Sequence, residues 1–465
     1  MLRPYGAYMG VCFCIVQQEI TKGKFMKAIV WGLDYIGITV AAGLAELGHD
    51  VIAIDKTPPK IKAINNHKSP IKEPGLDKMV QKTVQAGFLW GRVEGKDDVK
   101  DADISLICAE IPINRKGQPL LKYVEGMAAE ISRGLRESEK YHVVVLQSAV
   151  LPGITRNTLI PLLEKYSQKK VGRDFGVAVN PLFLRETTAI ADFFAPPYIV
   201  IGEEDKRSGN ILERLYRDIP AKIYRTDIET AETLKMSANA FETLKIGFTN
   251  EIGRFCDRSN INANQVMDLL WENSQLSTPL QPGFAFGESY QGKNLRSLLS
   301  QTEKFNLNLP ILNSILPSNR EQINYIVAKV RQLGVKSVTV LGLTKQPKMQ
   351  DFSETPVIPL LQQLCQENLE LRVFDPDLHL STLSGNNRDY ITRNLPQLGK
   401  IYSRSLDDAV LGCDLVIVVH DRPIFQATIK ALSDTVKVLD FSDRDSSKTQ
   451  QKVHPLHDTQ TTDVA

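Results

Sequence analysis

The chain has 465 residues, 42% of them hydrophobic, enough to bury two or three cores and to set it among multidomain globular proteins. Its formal net charge of +2 comes from 56 basic and 54 acidic residues, which points to neither nucleic acid nor an acidic membrane surface as partner. Six irregularly spaced cysteines, Cys12, Cys14, Cys108, Cys256, Cys365 and Cys413, form neither a disulfide framework nor a metal-ligand pattern and fit a reducing cytoplasm.

Residues 1–25 read as an N-terminal extension. Tyr8 to Val16 is apolar but too short to span a bilayer, no small-residue cleavage site follows, and Met26 is a candidate start. Lys27 to Lys56 then reads as one βαβ turn. Lys27–Trp31 is a buried strand, Gly32 breaks it, and Ile36, Val40, Leu44 and Leu47 share a helical face that stops at Gly48. Asp50 to Asp55 is a second strand that ends in a carboxylate. An acidic residue ~20 positions beyond a glycine-opened turn is where a dinucleotide fold hydrogen-bonds the adenosine ribose and disfavours NADP. Gly32, Asp34, Tyr35, Ile36, Gly37 and Asp55 are therefore the candidate residues for NAD.

The glycine fingerprint is broken at one place: Asp34 stands where G-x-G-x-x-G has its middle glycine. A carboxylate ~4 Å from a phosphate charge costs on the order of 4 kcal/mol at an effective dielectric near 20. The plain structural reading is that Asp34 caps the following helix and fills the anion site with the protein's own charge.

Further along, Asp103–Cys108, His142–Leu146, Gly176–Val179 and Tyr198–Ile201 are apolar runs separated by helical patterns, as in an open parallel sheet covered on both faces. This domain is predicted to end near Tyr224. From Glu229 to about Arg258 the period is helical, and its apolar stripe of Leu234, Ala238, Phe241, Phe248, Ile252 and Phe255 suits an interdomain or dimer core. A helix over Asn264–Glu272, a glycine-rich stretch over Pro282–Asn294 and polar helices to about Leu333 follow. Ser337–Leu341, Leu369–Phe374, Asp414–Val419 and Val436–Phe441 repeat the parallel-strand pattern in a smaller domain. Ser446 to Ala465 lacks periodicity and reads as disordered.

Five strings carry a family likeness: Lys68-Ser-Pro-Ile-Lys-Glu-Pro-Gly-Leu76, Ser148-Ala-Val-Leu-Pro-Gly153, Asn180-Pro-Leu-Phe-Leu-Arg-Glu186, Asn250-Glu-Ile-Gly253 and Pro282-Gly-Phe-Ala-Phe-Gly287. Together they resemble the UDP-glucose/GDP-mannose dehydrogenase family, most closely its GDP-mannose branch, from Met26 to about Phe441. The resemblance implies an α/β fold of two Rossmann-like, doubly wound parallel-sheet domains joined by a long central helix and a helical dimerisation region. The corresponding division is 1–25, 26–224, 225–333, 334–445 and 446–465. It also implies oxidation of the C6 alcohol of a nucleotide sugar to a carboxylate with two NAD, through a cysteine thiohemiacetal and thioester.

Carried onto this chain, the resemblance makes Lys235 and Asn239 the oxyanion-stabilising pair and Glu186 an acid for proton transfer. It puts Phe183, Leu184, Gly283, Phe284 and Lys293 at the substrate. The nucleophile position, however, falls on Tyr290 in Gly287-Glu-Ser-Tyr290, a phenol with an ordinary pKa of about 10 where the family has a thiol. Cys256 lies roughly 25 Å beyond Asn239 along the helix, too far to replace it. Asn294 stands for the family's aspartate after the cysteine, Ala149 and Ile111 for threonines, Leu182 for a glutamate and Gln281 for a basic residue. Lys345-Gln346 and Ser353 interrupt two further strings. The sequence thus predicts a catalytically impaired member that binds a nucleotide sugar as a homodimer, or as a heterodimer with an active paralogue. Two alternatives stay open: an active NAD-dependent oxidoreductase limited to two electrons, and an enzyme on an unfamiliar sugar with Tyr290 as acid or base.

Overall fold

β1 (Lys27–Trp31), β2 (Asp50–Ile54), β4 (Ile104–Ile107), β5 (His142–Leu146) and β6 (Phe175–Val179) are continuous apolar runs because helices cover both faces of the sheet they build; β3 (Leu89–Arg92), β7 (Tyr198–Glu203) and β8 (Lys222–Thr226) complete it. In the computed structural model the described residues are 26–109, 111–114, 118–120, 122–272, 280–287, 291–344, 352, 355–378, 380, 383, 385–420, 422–432 and 435–442. The chain divides into two units, Met1–Ala238 and Asn239–Ala465. The N-terminal extension, Tyr290, Lys345-Gln346, Ser353 and the C-terminal tail singled out above lie outside the described residues.

In the first unit the strand order is β3-β2-β1-β4-β5-β6-β7-β8. The order reverses at β1, and the crevice outside the strand ends at such a switch point is where open α/β sheets bind their ligands. Two features differ from the sequence expectation. β7 runs antiparallel to β6, with Ala178 opposite Glu203, whereas an all-parallel sheet was expected. The connection between them holds the Asn180–Glu186 string and only one short helix, Ala189–Phe194, in place of a full crossover helix. The strands β3 and β8 have no continuous apolar run to announce them, because they are the sheet's two edges and their side chains are partly exposed.

The second unit holds β9 (Ser337–Leu341), β10 (Glu370–Phe374), β11 (Leu415–Val418) and β12 (Lys437–Asp440), all parallel in the order β10-β9-β11-β12. Ile326, Val327 and Val330 of the helix Pro310–Leu333 pack with Val340 and Ile417 in its core. The long helix Ile228–Arg258 has 31 residues, and Phe241, Phe248 and Phe255, one heptad apart, are exposed on it. Among the described residues no helix is long and apolar enough to cross a membrane.

Candidate functional site

The crevice begins at the turn after β1. Gly32 has φ +88°, and a Cβ there would lie 2.5 Å from the Ala109 Cα. A Cβ on Gly37 would fall 1.8 Å from the Gly32 carbonyl oxygen, so both glycines are sterically required. Asp34 has φ −78° and ψ −174°, an extended conformation open to any residue, so the missing middle glycine costs no backbone strain. It stands at the N-cap of the helix Tyr35–Glu46 but makes no side-chain cap hydrogen bond. The expected cap is therefore absent. The carboxylate turns instead to Lys60, whose Nζ donates to Asp34 Oδ1 at 2.8 Å and to Asp55 Oδ2 at 3.3 Å.

Asp55 ends β2 as expected of a ribose-binding carboxylate. It accepts from the Leu33 amide on Oδ2 and from the Thr57 amide on Oδ1, both at 2.9 Å. Burial pushes its carboxyl up, but those amides and Lys60 outweigh burial and hold it below the usual carboxylate range. For Lys60, burial opposes the charge, while Asp34 and Asp55 overcome it and hold the ammonium above its ordinary value. The glycine turn, the uncapped helix N-terminus and Asp55 together fit the diphosphate and ribose of NAD. Lys60 was missed because no glycine motif names it; the only signal was a lysine one turn into the helix after the β2 carboxylate.

The loop after β6 is fixed from three sides. Asn180 Oδ1 accepts from Gln147 Nε2 at 2.7 Å and from the Tyr216 hydroxyl at 2.8 Å, and Asn180 Nδ2 donates to the Val200 carbonyl. The Tyr35 hydroxyl, from the dinucleotide turn, donates to the Leu184 carbonyl at 2.9 Å. Glu73, from the Lys68–Leu76 string, is buried and accepts from the amides of Thr187 and Ala189, each at 3.0 Å. It holds Thr187 at φ +72°, a left-handed conformation that a β-branched residue adopts only under constraint. Phe183 and Glu186 are half-buried in the loop so held, and Leu184 is buried.

Lys235, on the long helix, places its Nζ 4.9 Å from the centroid of the Phe183 ring. Burial pulls its ammonium down to about 8, and no carboxylate pairs with it among the described residues. It is thus not the solvated lysine that a long helix usually carries. One turn back, Glu232 accepts from the amides of Gly153 and Thr155, at 2.6 and 2.9 Å, and so ties the Ser148–Gly153 string to the long helix. Cys108, behind the dinucleotide turn, donates to Gln147 Oε1 at 3.0 Å, and burial pushes its thiol well up, so it is no nucleophile. No group of three His, Cys, Asp or Glu able to hold a metal ion occurs among the described residues.

In the second unit Asn239 is half-buried on the long helix, which also carries Asn250. Asn250 Oδ1 accepts from the Gly283 amide at 2.9 Å, and Gln322 Nε2 donates to the Gly283 carbonyl at 2.7 Å. Phe284 is buried, and its amide donates to the Phe441 carbonyl. Asn319 pairs with both the amide and the carbonyl of Phe286. Side chains thus define the Pro282–Gly287 loop without any ligand. Lys293 and Asn294 are half-buried in the first turn of the helix Gln291–Lys304.

Residues 26–220 match the NAD binding domain of the UDP-glucose/GDP-mannose dehydrogenase family, and residues 229–321 match its central domain. The chain is 36% identical over 419 residues to a GDP-mannose 6-dehydrogenase of Pseudomonas savastanoi pv. phaseolicola, covering 90% of this chain and 96% of that one. A UDP-glucose dehydrogenase structure from the archaeon Pyrobaculum islandicum superposes with a TM-score of 0.80 at 26% identity, over 91% of this chain and 96% of the other. A ternary complex of GDP-mannose dehydrogenase from Pseudomonas aeruginosa gives a TM-score of 0.54 at 35% identity, over 90% and 96%.

Proposed function

The chain belongs to the UDP-glucose/GDP-mannose dehydrogenase family, and from that premise we propose that it binds NAD and a nucleotide sugar but is impaired in the full oxidation of the C6 alcohol to the uronate. The observation that carries the impairment is Tyr290 at the nucleophile position. Bound NAD would supply the hydride acceptor, and the first oxidation, which leaves an aldehyde and a released proton, would need no covalent bond to the protein. The second requires a nucleophile to add to that aldehyde, so that the C6 carbon of the adduct can lose a second hydride and the resulting acyl group can pass to water with the nucleophile as leaving group; a protonated phenol does this far less readily than a thiolate. Neither Cys108, hydrogen-bonded and buried, nor Cys256, buried far along the helix, supplies the sulfur.

A second reading, oxidation of the alcohol to the aldehyde alone, is favoured by Lys235. A half-buried, partly desolvated ammonium with no carboxylate partner among the described residues suits the partial negative charge on an alcohol or aldehyde oxygen. It is a cation below pH about 8 and loses that charge above it, so any residual turnover should fall on the alkaline side. NADH formed per molecule of GDP-mannose or UDP-glucose separates the readings. None supports the impaired binder, one with a trappable aldehyde supports the two-electron enzyme, and two with uronate product rejects both. Tyr290→Cys is expected to raise the yield towards two.

The exposed heptad of Phe241, Phe248 and Phe255 supports assembly with a second copy or a related subunit. Sedimentation should show a dimer, and a Phe248→Glu variant a monomer; a wild-type monomer would exclude this. The described cysteines are all free thiols, which supports the cytoplasmic location we propose. Recovery of the protein outside the cytoplasm on cell fractionation would reject it.

A further inference from the structure

On the helix Lys206–Leu215, Arg207, Asn210 and Arg214 line a hollow of about 450 Å³ together with Ile211. Steps of three and four residues put the three polar side chains on one helical face. Among the described residues no carboxylate lines the hollow. The acidic side chains nearby in the chain are engaged elsewhere: Glu203 and Glu213 pair with Arg225, Glu204 with Arg156 and Asp218 with Arg217. Asp205 caps the helix by accepting from the Ser208 amide and also accepts from the Tyr141 hydroxyl, each at 3.0 Å.

Two of the three donors are held ready. The Arg207 guanidinium lies 3.7 Å from the centroid of the Tyr141 ring, a stack that uses its face and leaves its in-plane N–H donors available. Arg225 donates to Asn210 Oδ1, which fixes the amide and leaves Nδ2 without an acceptor among the described residues. Tyr141 stands directly before β5, at the amino ends of the parallel strands, whereas the glycine turn and Asp55 follow the carboxyl ends of β1 and β2.

We propose that this hollow is a second anion site, which binds a phosphate group, free or as a monoester, through Arg207, Asn210 and Arg214. Two guanidinium forks with no carboxylate between them match an oxyanion that accepts several hydrogen bonds, and a cationic ligand finds no complement there. The site is independent of the NAD and nucleotide-sugar readings.

Phosphorus-31 NMR titration of the full chain with inorganic phosphate at physiological ionic strength tests it, with thermal melts to confirm folding. The double variant Arg207→Gln, Arg214→Gln is expected to bind phosphate at least ~10-fold more weakly than wild type. Arg217→Gln, which removes a neighbouring arginine already paired with Asp218, should change affinity by less than ~2-fold. A parallel titration with methyl phosphate separates the sources: affinity matching inorganic phosphate assigns the hollow to phosphate esters, and clearly weaker binding assigns it to the free ion. Equal phosphate affinity in wild type and the double variant overturns the proposal, because the ion then binds elsewhere. An equal loss in Arg217→Gln also overturns it, since net charge alone would then account for binding, as does a wild type that binds no phosphate at tens of millimolar.

Discussion

The two sheets make the same turn twice. In the first unit Gly32, at φ +88°, donates to the Ile54 carbonyl, and Leu33 donates to Asp55. In the second, Gly342, at φ +99°, donates to the Phe374 carbonyl, and Leu343 donates to Asp375 at 2.7 Å. The difference lies at the next residue. Thr344 gives both its amide and its hydroxyl to Asp375 Oδ2, at 2.7 and 2.9 Å, while Asp377 donates to Oδ1. Asp375 is 1% exposed, and both its oxygens accept hydrogen bonds from the protein. Asp34, in the corresponding place, leaves Asp55 alone and turns to Lys60. Asp375 is closed into a buried clasp, whereas Asp55 shares Lys60 with Asp34 and keeps its side chain 11% exposed, although the backbone around them is alike.

The sharpest way to break this comparison is Asp375→Ala. It strands buried amides and a hydroxyl, so unfolding of the second unit in denaturant should shift by at least about 3 kcal/mol. An unmoved midpoint would mean that the clasp is dispensable and the contrast empty.

Next comes Lys235→Met, which probes the cost of leaving a polar group open in the first unit. The folded ammonium titrates at about 8 against 10.5 in the unfolded chain, so burying it destabilises the protein fully below pH 8. The penalty fades as the pH rises from 8 towards 10.5. The variant should therefore be up to about 3 kcal/mol more stable at neutral pH, with the gain vanishing in alkali, while any turnover is lost. Equal stability of the two proteins across that range would contradict a half-buried cation with no carboxylate partner among the described residues.

A smaller effect at neutrality, but a growing one in acid, comes from His142. Its Nδ1 donates to the Ala102 carbonyl, its Nε2 accepts from Ser105, and burial lowers its pKa to about 4. The unfolded ring binds a proton from pH 6.5 downward while the folded ring resists until about 4. Stability is thus complete above 6.5 and falls by about 2 kcal/mol by pH 5. An NMR titration of His142 with a midpoint near 6.5 would reject this.

The smallest change in stability is expected for Asp55→Ala, about 1 kcal/mol, because it strands the buried Leu33 amide alone, the Thr57 amide being exposed to water. NAD affinity should nevertheless drop by ~10-fold or more. A large loss of stability would make Asp55 a second clasp and erase the distinction.

Much of the fold was legible because parallel strands buried on both faces leave uninterrupted apolar runs. β1, β5 and β9 fall on the predicted residues, and the other central strands within a residue or two. The edges β3 and β8 were not legible, since half-exposed strands leave no such run, and nor was the reversal of β7, which depends on where the chain returns. At the site, Gly32, Gly37 and Asp55 could be read from spacing. The cap expected of Asp34 could not survive, because a lysine many residues away, on the next helix, competes for the same carboxylate.

The order of residues by itself determined the two α/β halves, the family and the glycine turn, because each is written in local pattern or identity. Only the folded chain decided which charges meet. Lys60 reaches Asp34, Thr344 closes Asp375, and Lys235 lies against Phe183 without a carboxylate partner among the described residues. The physical reason is that electrostatic energy depends on distance and on exclusion of water, and neither is encoded in spacing along the sequence.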